Sequence, residues 1–308
     1  HPPHAHHAAL CGGAHQMTGR RIGALDIGGT NIKACLFQGG IPVCRDETPT
    51  PAREGAHRVL ARAAELLGSM GAFDALGVST TGQVDPASGV IRYANENMPG
   101  YTGTKVKAFF EERFSVPTAV INDVYAAALG EGTYGSVKGE TDYICLTYGT
   151  GIGGGVILNG KPYYGAGSSA GVMLGGLITH PEDRNVQDAF SGTYERYGAT
   201  TALVDRAKTI APELDSGRRI FAELPGNEAL LSQVNDWLRE VALGICTLVH
   251  AYNVPCVVLG GGIMEQPYVF REVKNTAEQF LIPGFRGVRI LQAGLGNMAG
   301  LYGAASLV

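Results

Sequence analysis

The sequence predicts an α/β protein made of two halves with the same topology. Its 308 residues exceed the length of about 250 at which single hydrophobic cores stop growing, so two domains are expected. Two glycine-rich turns, near positions 28 and 150, each lie between apolar runs of strand length. Each hairpin is followed by alternating helical and extended patterns. This repeated order indicates an internal duplication of topology, without detectable sequence repetition.

Each half has its own order of predicted elements. The first half contains strands at 22–26 and 32–37, a helix over 58–70, a strand at 75–80, a helix around 106–114 and a strand at 117–123. The second half contains strand, turn and strand over 143–160, a long helix from 234 to 249, a strand that begins at 256 and ends in glycines, a strand at 288–293 and a helix of small residues at 296–308. These assignments follow from apolar residues at helical spacing and from short, continuously apolar runs.

We expect the first domain to cover residues 17–123, completed by the C-terminal helix at 296–308, and the second to cover 124–295. A cleft is expected between the two domains, because such interfaces often hold small-molecule ligands. Residues 1–16 contain five of the eight histidines and show no periodicity. They are predicted to be a tag-like or disordered extension, with metal binding as the alternative.

Composition argues against several classes of protein. A net charge of −4 gives no reason to expect nucleic acid or an anionic membrane as a partner. No apolar run approaches the roughly 20 residues of a membrane-spanning helix. The six cysteines are scattered, with no C-x-x-C pair, which is typical of buried thiols in a reducing cytoplasm. These features favour a cytoplasmic protein that acts on a small molecule.

The first glycine turn has the sequence DIGGTNIK and offers backbone N–H groups to phosphate oxygens. It lacks the Gly-Lys-Ser/Thr of the common phosphate loop and opens on Asp26, which repels phosphate. A carboxylate here is explained if it holds Mg²⁺, directly or through water, against the phosphates of a nucleotide. The alternative is that Asp26 only satisfies turn amides. The residues predicted to bind nucleotide and Mg²⁺ are Asp26, Gly28, Gly29, Thr30, Asn31 and Lys33.

The second glycine turn, GTGIGGG at 149–155, has the glycine spacing of a dinucleotide fingerprint, but it continues as a strand where that fingerprint requires a helix. Two glycine turns, each inside a hairpin that opens an α/β unit, resemble the phosphate-binding hairpins of the actin-like ATPase superfamily. The resemblance implies two ribonuclease-H-like domains, with the first turn at the γ-phosphate of ATP and the second at the β-phosphate. The further ATP-binding residues are Gly149, Thr150 and Gly151, with Gly260, Gly261 and Gly262 next to the adenosine.

The predicted strand at 117–123 ends in two polar residues, Asn122 and Asp123. Phosphoryl transfer to an alcohol needs a group that accepts the hydroxyl proton, and Asp123 is our candidate for this base. The neighbouring amide of Asn122 can orient substrate hydroxyls. The alternative is that Asp123 caps the following helix, and one residue can do both.

Six motifs follow one another along the chain, namely DIGGTNIKACLF, STTGQVDPASGVI, VINDVYAAALGEG, LTYGTGIGGGVILNGK, SAG at 169–171 and VVLGGGI. In their order and spacing they resemble the ROK family of repressors, ORF proteins and sugar kinases. The similarity covers essentially all of residues 20–308, and the C-terminal third resembles the β-glucoside kinase and N-acetylmannosamine kinase branch. The resemblance implies an ATP-dependent kinase that phosphorylates a hexose hydroxyl, usually the 6-hydroxyl, and that forms a homodimer.

The resemblance also implies roles for individual residues. Asp123 is the catalytic base, Asn122 and Asn97 bind sugar hydroxyls, and Gly82 offers its backbone to the sugar. Glu195, in TYERYGATTALV, matches the second sugar-binding glutamate of the family.

The chain departs from the family where AGVMLGGLITHP replaces the usual A-G-E-x-G-H, so that the glutamate and the histidine are missing. Residues 175–200 also lack cysteine, whereas tetrahedral zinc needs four ligands of nitrogen or sulfur type. We therefore predict no zinc site and interpret His180 as a loop residue. Loss of one charged hydrogen bond, worth about 1.5–3 kcal/mol, predicts altered sugar specificity with the chemistry retained. An aglycone or N-acetyl group could occupy the space that Gly175 and Gly176 leave.

Three other functions are weighed against a kinase for glucose or a β-glucoside. N-acetylmannosamine kinase and a catalytically weak ROK sugar sensor both stay open. A ROK repressor is disfavoured because only about 25 residues precede Asp26, too few for a helix-turn-helix domain, and because the chain is not basic.

Overall fold

The computed structural model describes residues 19–167 and 171–308. The predicted extension at 1–16 lies outside these residues, as do the first two residues of the SAG motif at 169–171. The described chain divides into two compact units. The first unit contains residues 19–134, 166–167 and 297–308, and the second contains residues 135–165 and 171–296.

The first unit contains seven strands, five of which form one mixed sheet. Its strands are β1 (Arg21–Ile27), β2 (Asn31–Gln38), β3 (Ile41–Pro49), β4 (Ala75–Thr80), β5 (Gln83–Val84), β6 (Ile91–Tyr93) and β7 (Thr118–Asn122). Its helices include α1 (Ala56–Gly68), α2 (Val106–Phe114) and α3 (Asp123–Thr133). The sheet order is β3-β2-β1-β4-β7, with antiparallel pairs on the β3 side of β1 and parallel pairs on the β7 side, while β5 pairs with β6 alone.

The second unit repeats this arrangement. Its strands are β8 (Tyr143–Tyr148), β9 (Ile152–Leu158), β10 (Lys161–Pro162), β11 (Cys256–Gly260) and β12 (Arg289–Gln292). Its helices are α4 (Tyr194–Gly198), α5 (Thr200–Lys208), α6 (Gly217–Glu223), α7 (Glu228–Tyr252) and α8 (Pro267–Phe280). The sheet order is β10-β9-β8-β11-β12, with the strand directions of the first sheet. The predicted duplication of topology is therefore confirmed.

Strand register places the polar residues of the first unit at one edge of its sheet. In β1, Asp26 lies opposite Lys33 of β2 and Ser79 of β4. In the next parallel pair, Thr80 of β4 lies opposite Asn122 of β7. Because β1, β4 and β7 run in the same direction, their C-terminal ends meet at the edge that carries the first glycine turn.

The chain returns to the first unit at its C-terminus with α9 (Ala299–Ala305), which packs on α3, β1 and β4. Two glycines allow this close approach. A Cβ on Gly303 would lie 1.6 Å from the carbonyl oxygen of Ala126, and a Cβ on Gly77 would lie 1.8 Å from that of Ala304. Because α9 packs against α3, that helix belongs to the first unit, which extends to residue 134, beyond the expected boundary after residue 123.

The core of the second unit surrounds the long helix α7. The residues at helical spacing that predicted this helix are all buried, namely Val234, Trp237, Leu238, Val241, Ile245 and Val249. The indole Nε1 of Trp237 donates hydrogen bonds to the carbonyl oxygens of Gly198 and Ala199, at 3.1 and 3.0 Å. The helix is thereby attached to the junction between α4 and α5.

Four of the cysteines are free and buried, as predicted, namely Cys35, Cys145, Cys246 and Cys256. Cys44 on β3 departs from the prediction of burial, because it is only half-buried. Cys11 lies outside the described residues. Among the helices of residues 19–167 and 171–308, none combines the length and apolar character needed to cross a membrane.

Candidate functional site

Asp26 lies near the end of β1, just before the first glycine turn. The hydroxyl of Ser79 donates a 2.7 Å hydrogen bond to Asp26 Oδ1, and Lys33 Nζ lies 3.8 Å from Oδ2. A Cβ on Gly300 would lie 3.0 Å from the carboxyl group, so glycine at that position leaves room for it. Within the described chain no turn amide donates to Asp26. The hydroxyl of Ser79 is the hydrogen-bond donor that the structure gives Asp26.

Hydrogen bonds to carbonyl oxygens fix the shape of the first turn. Gly28 N–H donates to the carbonyl oxygen of Asn31 at 3.0 Å. Thr50, directly after β3, donates its hydroxyl to Gly28 O at 2.7 Å and its amide to Thr30 O at 2.8 Å. The amides of Gly29 and Thr30 donate to no described residue, and both residues are exposed. These amides are available to an anion, and Thr50 is a supporting residue that the sequence did not indicate.

Asp123 is the first residue of α3, directly after β7. The N-cap of α3 is Asn122, whose side-chain oxygen accepts a 3.0 Å hydrogen bond from Val124 N–H. Asp123 Oδ1 accepts a 2.9 Å hydrogen bond from the same N–H. Asn122 is thus the N-cap residue, and Asp123 shares its hydrogen bond from the Val124 amide.

The carboxyl group of Asp123 is partly buried in the first unit. Burial, together with the negative charge of Asp26, raises the pKa of Asp123 from 3.8 to about 6. Hydrogen bonds to the carboxylate from the backbone amides and from Asn122 act in the opposite direction. A general base is most effective when its pKa lies near the operating pH, so the shift suits Asp123 to accept a proton.

The structure brings Asn122 and Gly82 into contact. Asn122 Nδ2 donates a 2.7 Å hydrogen bond to the carbonyl oxygen of Gly82. Gly82 has a φ of +93°, and a Cβ there would lie 3.0 Å from the carbonyl oxygen of Tyr93, so glycine is required. Asn97 lies on an exposed turn after β6, where its amide donates to Asn95 Oδ1 at 3.1 Å.

The second turn is attached to α4 and α5. Gly149 N–H donates to Gly151 O, and Thr200 N–H donates to Gly149 O, each at 3.0 Å. Glu195 Oε2 accepts a 2.9 Å hydrogen bond from the amide of Ile152, the first residue of β9. Glu195, expected from resemblance to bind sugar, therefore contacts the turn itself. The exposed residues of the turn are Gly149 and Thr150.

The third glycine cluster lies beside the end of β8. Gly261 has a φ of +97°, and a Cβ there would lie 2.1 Å from the carbonyl oxygen of Tyr148, which immediately precedes the second turn. A Cβ on Gly262 would meet no atom within 4 Å. Within the second unit, the structure thus places Gly260–Gly262 next to the second turn.

His180 lies in the loop before α4 and is an ion-pair partner. Its Nε2 lies 2.8 Å from Glu240 Oε2 and its Nδ1 lies 3.1 Å from Glu182 Oε1. Its ring stacks on Tyr197 with centroids 3.7 Å apart. Single donor atoms of His180, Glu182 and Asp183 lie within 4.8 Å of one another. Because carboxylates occupy both ring nitrogens, ion pairing explains this cluster, and the absence of zinc stays a prediction.

Known proteins share this fold and this sequence pattern. The sequence profile of the ROK family matches residues 22–308. The chain belongs to the ROK family. A β-glucoside kinase of Listeria monocytogenes is 29% identical to this ROK protein, over 92% of the chain and 96% of the relative.

Two solved ROK structures resemble the chain over almost its whole length. A ROK hexokinase from Thermus thermophilus has a TM-score of 0.80 and 32% identity, covering 92% of this chain and 96% of that one. A ROK family glucokinase from Streptomyces griseus, in complex with glucose and AMPPNP, has a TM-score of 0.76 and 27% identity, covering 94% and 99%. These neighbours confirm the α/β fold of the actin-like ATPase type that the two hairpins predict.

Proposed function

We propose that this ROK protein is an ATP-dependent kinase that transfers the γ-phosphate to a hydroxyl group of a hexose. The observation that carries the proposal is Asp123, a partly buried carboxyl group whose pKa is raised to about 6 by burial and by Asp26. Such a group is ionised at neutral pH and basic enough to accept the proton of a sugar hydroxyl. The similarity to a glucokinase crystallised with AMPPNP supports ATP as the phosphate donor.

The donor set around Asp26 fits Mg²⁺. This ion keeps several waters and is usually held by one or two carboxylates together with substrate phosphates. Asp26 offers one partly exposed carboxylate, oriented by Ser79. Mg²⁺ held there would neutralise phosphate charge. Lys33 supplies a second positive charge beside the turn, and the free amides of Gly29 and Thr30 bind phosphate oxygens.

Asp123 acts on the sugar acceptor. It accepts the proton of the attacking hydroxyl as that oxygen bonds to the γ-phosphorus, while the bond from the γ-phosphorus to the β,γ-bridging oxygen breaks and ADP leaves. Asn122 fixes the carbonyl group of Gly82 and so shapes the backbone that faces the sugar. The residues proposed to bind sugar are Gly82, Asn97, Asn122 and Glu195, and the second turn with Gly260–Gly262 is proposed to bind the rest of ATP.

We propose glucose or a β-glucoside as the acceptor, phosphorylated at the 6-hydroxyl. Glucokinases and β-glucoside kinases are among the relatives, at 29% identity for those from Streptomyces coelicolor and Listeria monocytogenes. The test is a coupled ADP-release assay with Mg·ATP and a panel of glucose, cellobiose, gentiobiose, fructose and N-acetylmannosamine. ADP release that depends on glucose or a β-glucoside supports the proposal. Turnover of N-acetylmannosamine alone would correct the substrate, and sugar binding without turnover of any sugar would favour a sensor.

A further inference from the structure

Glu195 is joined directly to the backbone of the second glycine turn. Its Oε2 accepts the 2.9 Å hydrogen bond from the amide of Ile152, where the turn ends and β9 begins. A Cβ on Gly151 would lie only 2.2 Å from the same oxygen, so the turn passes alongside the carboxylate. We propose that Glu195 is a positioning residue for the nucleotide, which holds the turn at 149–151 in the shape that binds phosphate. This inference rests on the proposed kinase function.

The segment that carries Glu195 also contacts the beginning of the turn. Thr200 N–H donates to the carbonyl oxygen of Gly149 at 3.0 Å. The hydroxyl groups of Tyr148 and Tyr194 lie 2.7 Å apart, and Tyr194 donates to the carbonyl oxygen of Val241 on α7. Both ends of the turn are thus fastened to α4 and the start of α5, which α7 supports.

The surroundings of Glu195 favour a geometric role over an electrostatic one. Within residues 19–167 and 171–308, no Lys, Arg or His nitrogen lies within 4.0 Å of its carboxylate. A negative charge beside a phosphate-binding turn repels the ligand. Gly175 allows the backbone to pass close to the start of β9, because a Cβ there would lie 2.3 Å from the carbonyl oxygen of Ile152. The hydrogen bond, and not the charge, is therefore the feature that nucleotide binding needs.

Three substitutions at position 195 distinguish the effect of the hydrogen bond to Ile152 from the effect of the negative charge. Glu195→Gln keeps an oxygen acceptor at the same reach and removes the charge. Glu195→Asp keeps the charge and shortens the side chain by one carbon–carbon bond, about 1.5 Å, so that the Ile152 amide loses its partner. Glu195→Ala removes both. Arg196→Ala, an exposed change on the same helix, is the matched control.

The readout is the Kd of Mg·AMPPNP for each full-length variant, measured by isothermal titration calorimetry. We expect Glu195→Asp and Glu195→Ala to raise this Kd about tenfold, equivalent to about 1.4 kcal/mol. We expect Glu195→Gln and Arg196→Ala to stay within about twofold of the unsubstituted protein. If Glu195→Ala fails to fold, the opposite behaviour of the Asp and Gln variants still decides the question.

Two results would overturn the positioning role. One is nucleotide affinity that survives Glu195→Asp, and the other is affinity that Glu195→Gln weakens as much as Glu195→Ala does. If all three variants raise only the KM of the sugar, Glu195 acts on the sugar alone, and the kinase proposal stands without the positioning role. If the unsubstituted protein neither binds Mg·AMPPNP nor releases ADP with any sugar of the panel, the kinase proposal itself fails.

Discussion

The negative charge of Asp26 raises the pKa of Asp123, so the two carboxyl groups of the first unit share one electrostatic environment. Asp26 lies near the end of β1 and Asp123 follows β7, on the two sides of β4 in the same sheet. Burial is the larger cause of the shift, and the two effects act in the same direction. The arrangement supplies one carboxylate suited to Mg²⁺ and a second carboxyl group that titrates near neutrality.

This titration predicts the pH dependence of turnover. Because Asp123 must be ionised to accept a proton, kcat/KM should fall about tenfold per pH unit below pH 6 and level off above it. Initial rates of sugar-dependent ADP release between pH 5 and 8, with both substrates below their KM, measure this fall. A kcat/KM that does not change over this range would contradict the role of Asp123.

The same shift predicts that Asp123 lowers the stability of the protein above pH 6. The unfolded carboxyl group titrates near 3.8 and the folded one near 6, so the folded state binds more protons between these values. Stability of the natural chain therefore falls as pH rises through this window. Asp123→Asn should raise the free energy of unfolding by on the order of 2 kcal/mol at pH 7.5, with little effect at pH 4. Urea unfolding at both pH values measures this, and an equal effect at both would refute the explanation.

The close packing of α9 predicts a strong effect at Gly303. A Cβ there would meet the carbonyl oxygen of Ala126 at 1.6 Å, and backbone atoms of α3 cannot give way as a flexible side chain can. Gly303→Ala should therefore destabilise the protein by about 3 kcal/mol or more. Gly287→Ala is the control, because a Cβ there meets no atom within 4 Å, and it should change stability by less than about 0.5 kcal/mol. Similar stabilities of the two variants in urea would contradict the packing.

The ion pairs of His180 predict a second pH-dependent contribution to stability, in the second unit. Burial alone would lower the pKa of His180, but the hydrogen bonds and charges of Glu240 and Glu182 outweigh it and raise the pKa above 6.5. The stabilisation that the ion pairs of His180 provide is therefore complete below pH 6.5, and it is lost as pH rises through the higher pKa of the folded state. The Tm difference between the natural chain and His180→Gln should be larger at pH 6 than at pH 9.

Glu240→Gln is the matched control for that prediction, because it removes the carboxylate that lies 2.8 Å from His180 Nε2. In a Glu240→Gln background, the difference caused by His180→Gln should lose most of its pH dependence. A Tm difference with the same value at both pH values in the natural chain would show that the histidine charge does not stabilise this loop.

The hairpins, the buried strands and the long helix were predictable because their sequence patterns are local. Two apolar runs around glycines indicate β1–β2 and β8–β9, and six apolar residues at helical spacing indicate α7. β3 lacked such a signal, since it is an edge strand with almost all of its residues exposed. Helix α8 did carry a helical pattern in its sequence, because its buried residues Val269, Val273 and Ala277 are spaced four residues apart.

Asp26 and Asp123 could be proposed from the sequence because each is a polar residue at the end of a predicted strand. The contacts that support them could not be predicted, because they join residues that are far apart in sequence. Ser79 reaches Asp26 only through the parallel register of β1 and β4, and Thr50 reaches the first turn only after β3 has paired with β2. The contact of Glu195 with Ile152 joins residues 43 positions apart, and no local sequence pattern indicates it.

The turnover of Asp123→Asn tests most directly whether Asp123 is the base of a sugar kinase. The measurement is sugar-dependent ADP release, at pH 7.5 with saturating Mg·ATP and the sugar that the unsubstituted protein prefers. We predict that kcat falls by about 10²- to 10⁴-fold while the KM of the sugar stays within about threefold. An Asp123→Asn protein that releases ADP at the rate of the natural chain would contradict the central claim.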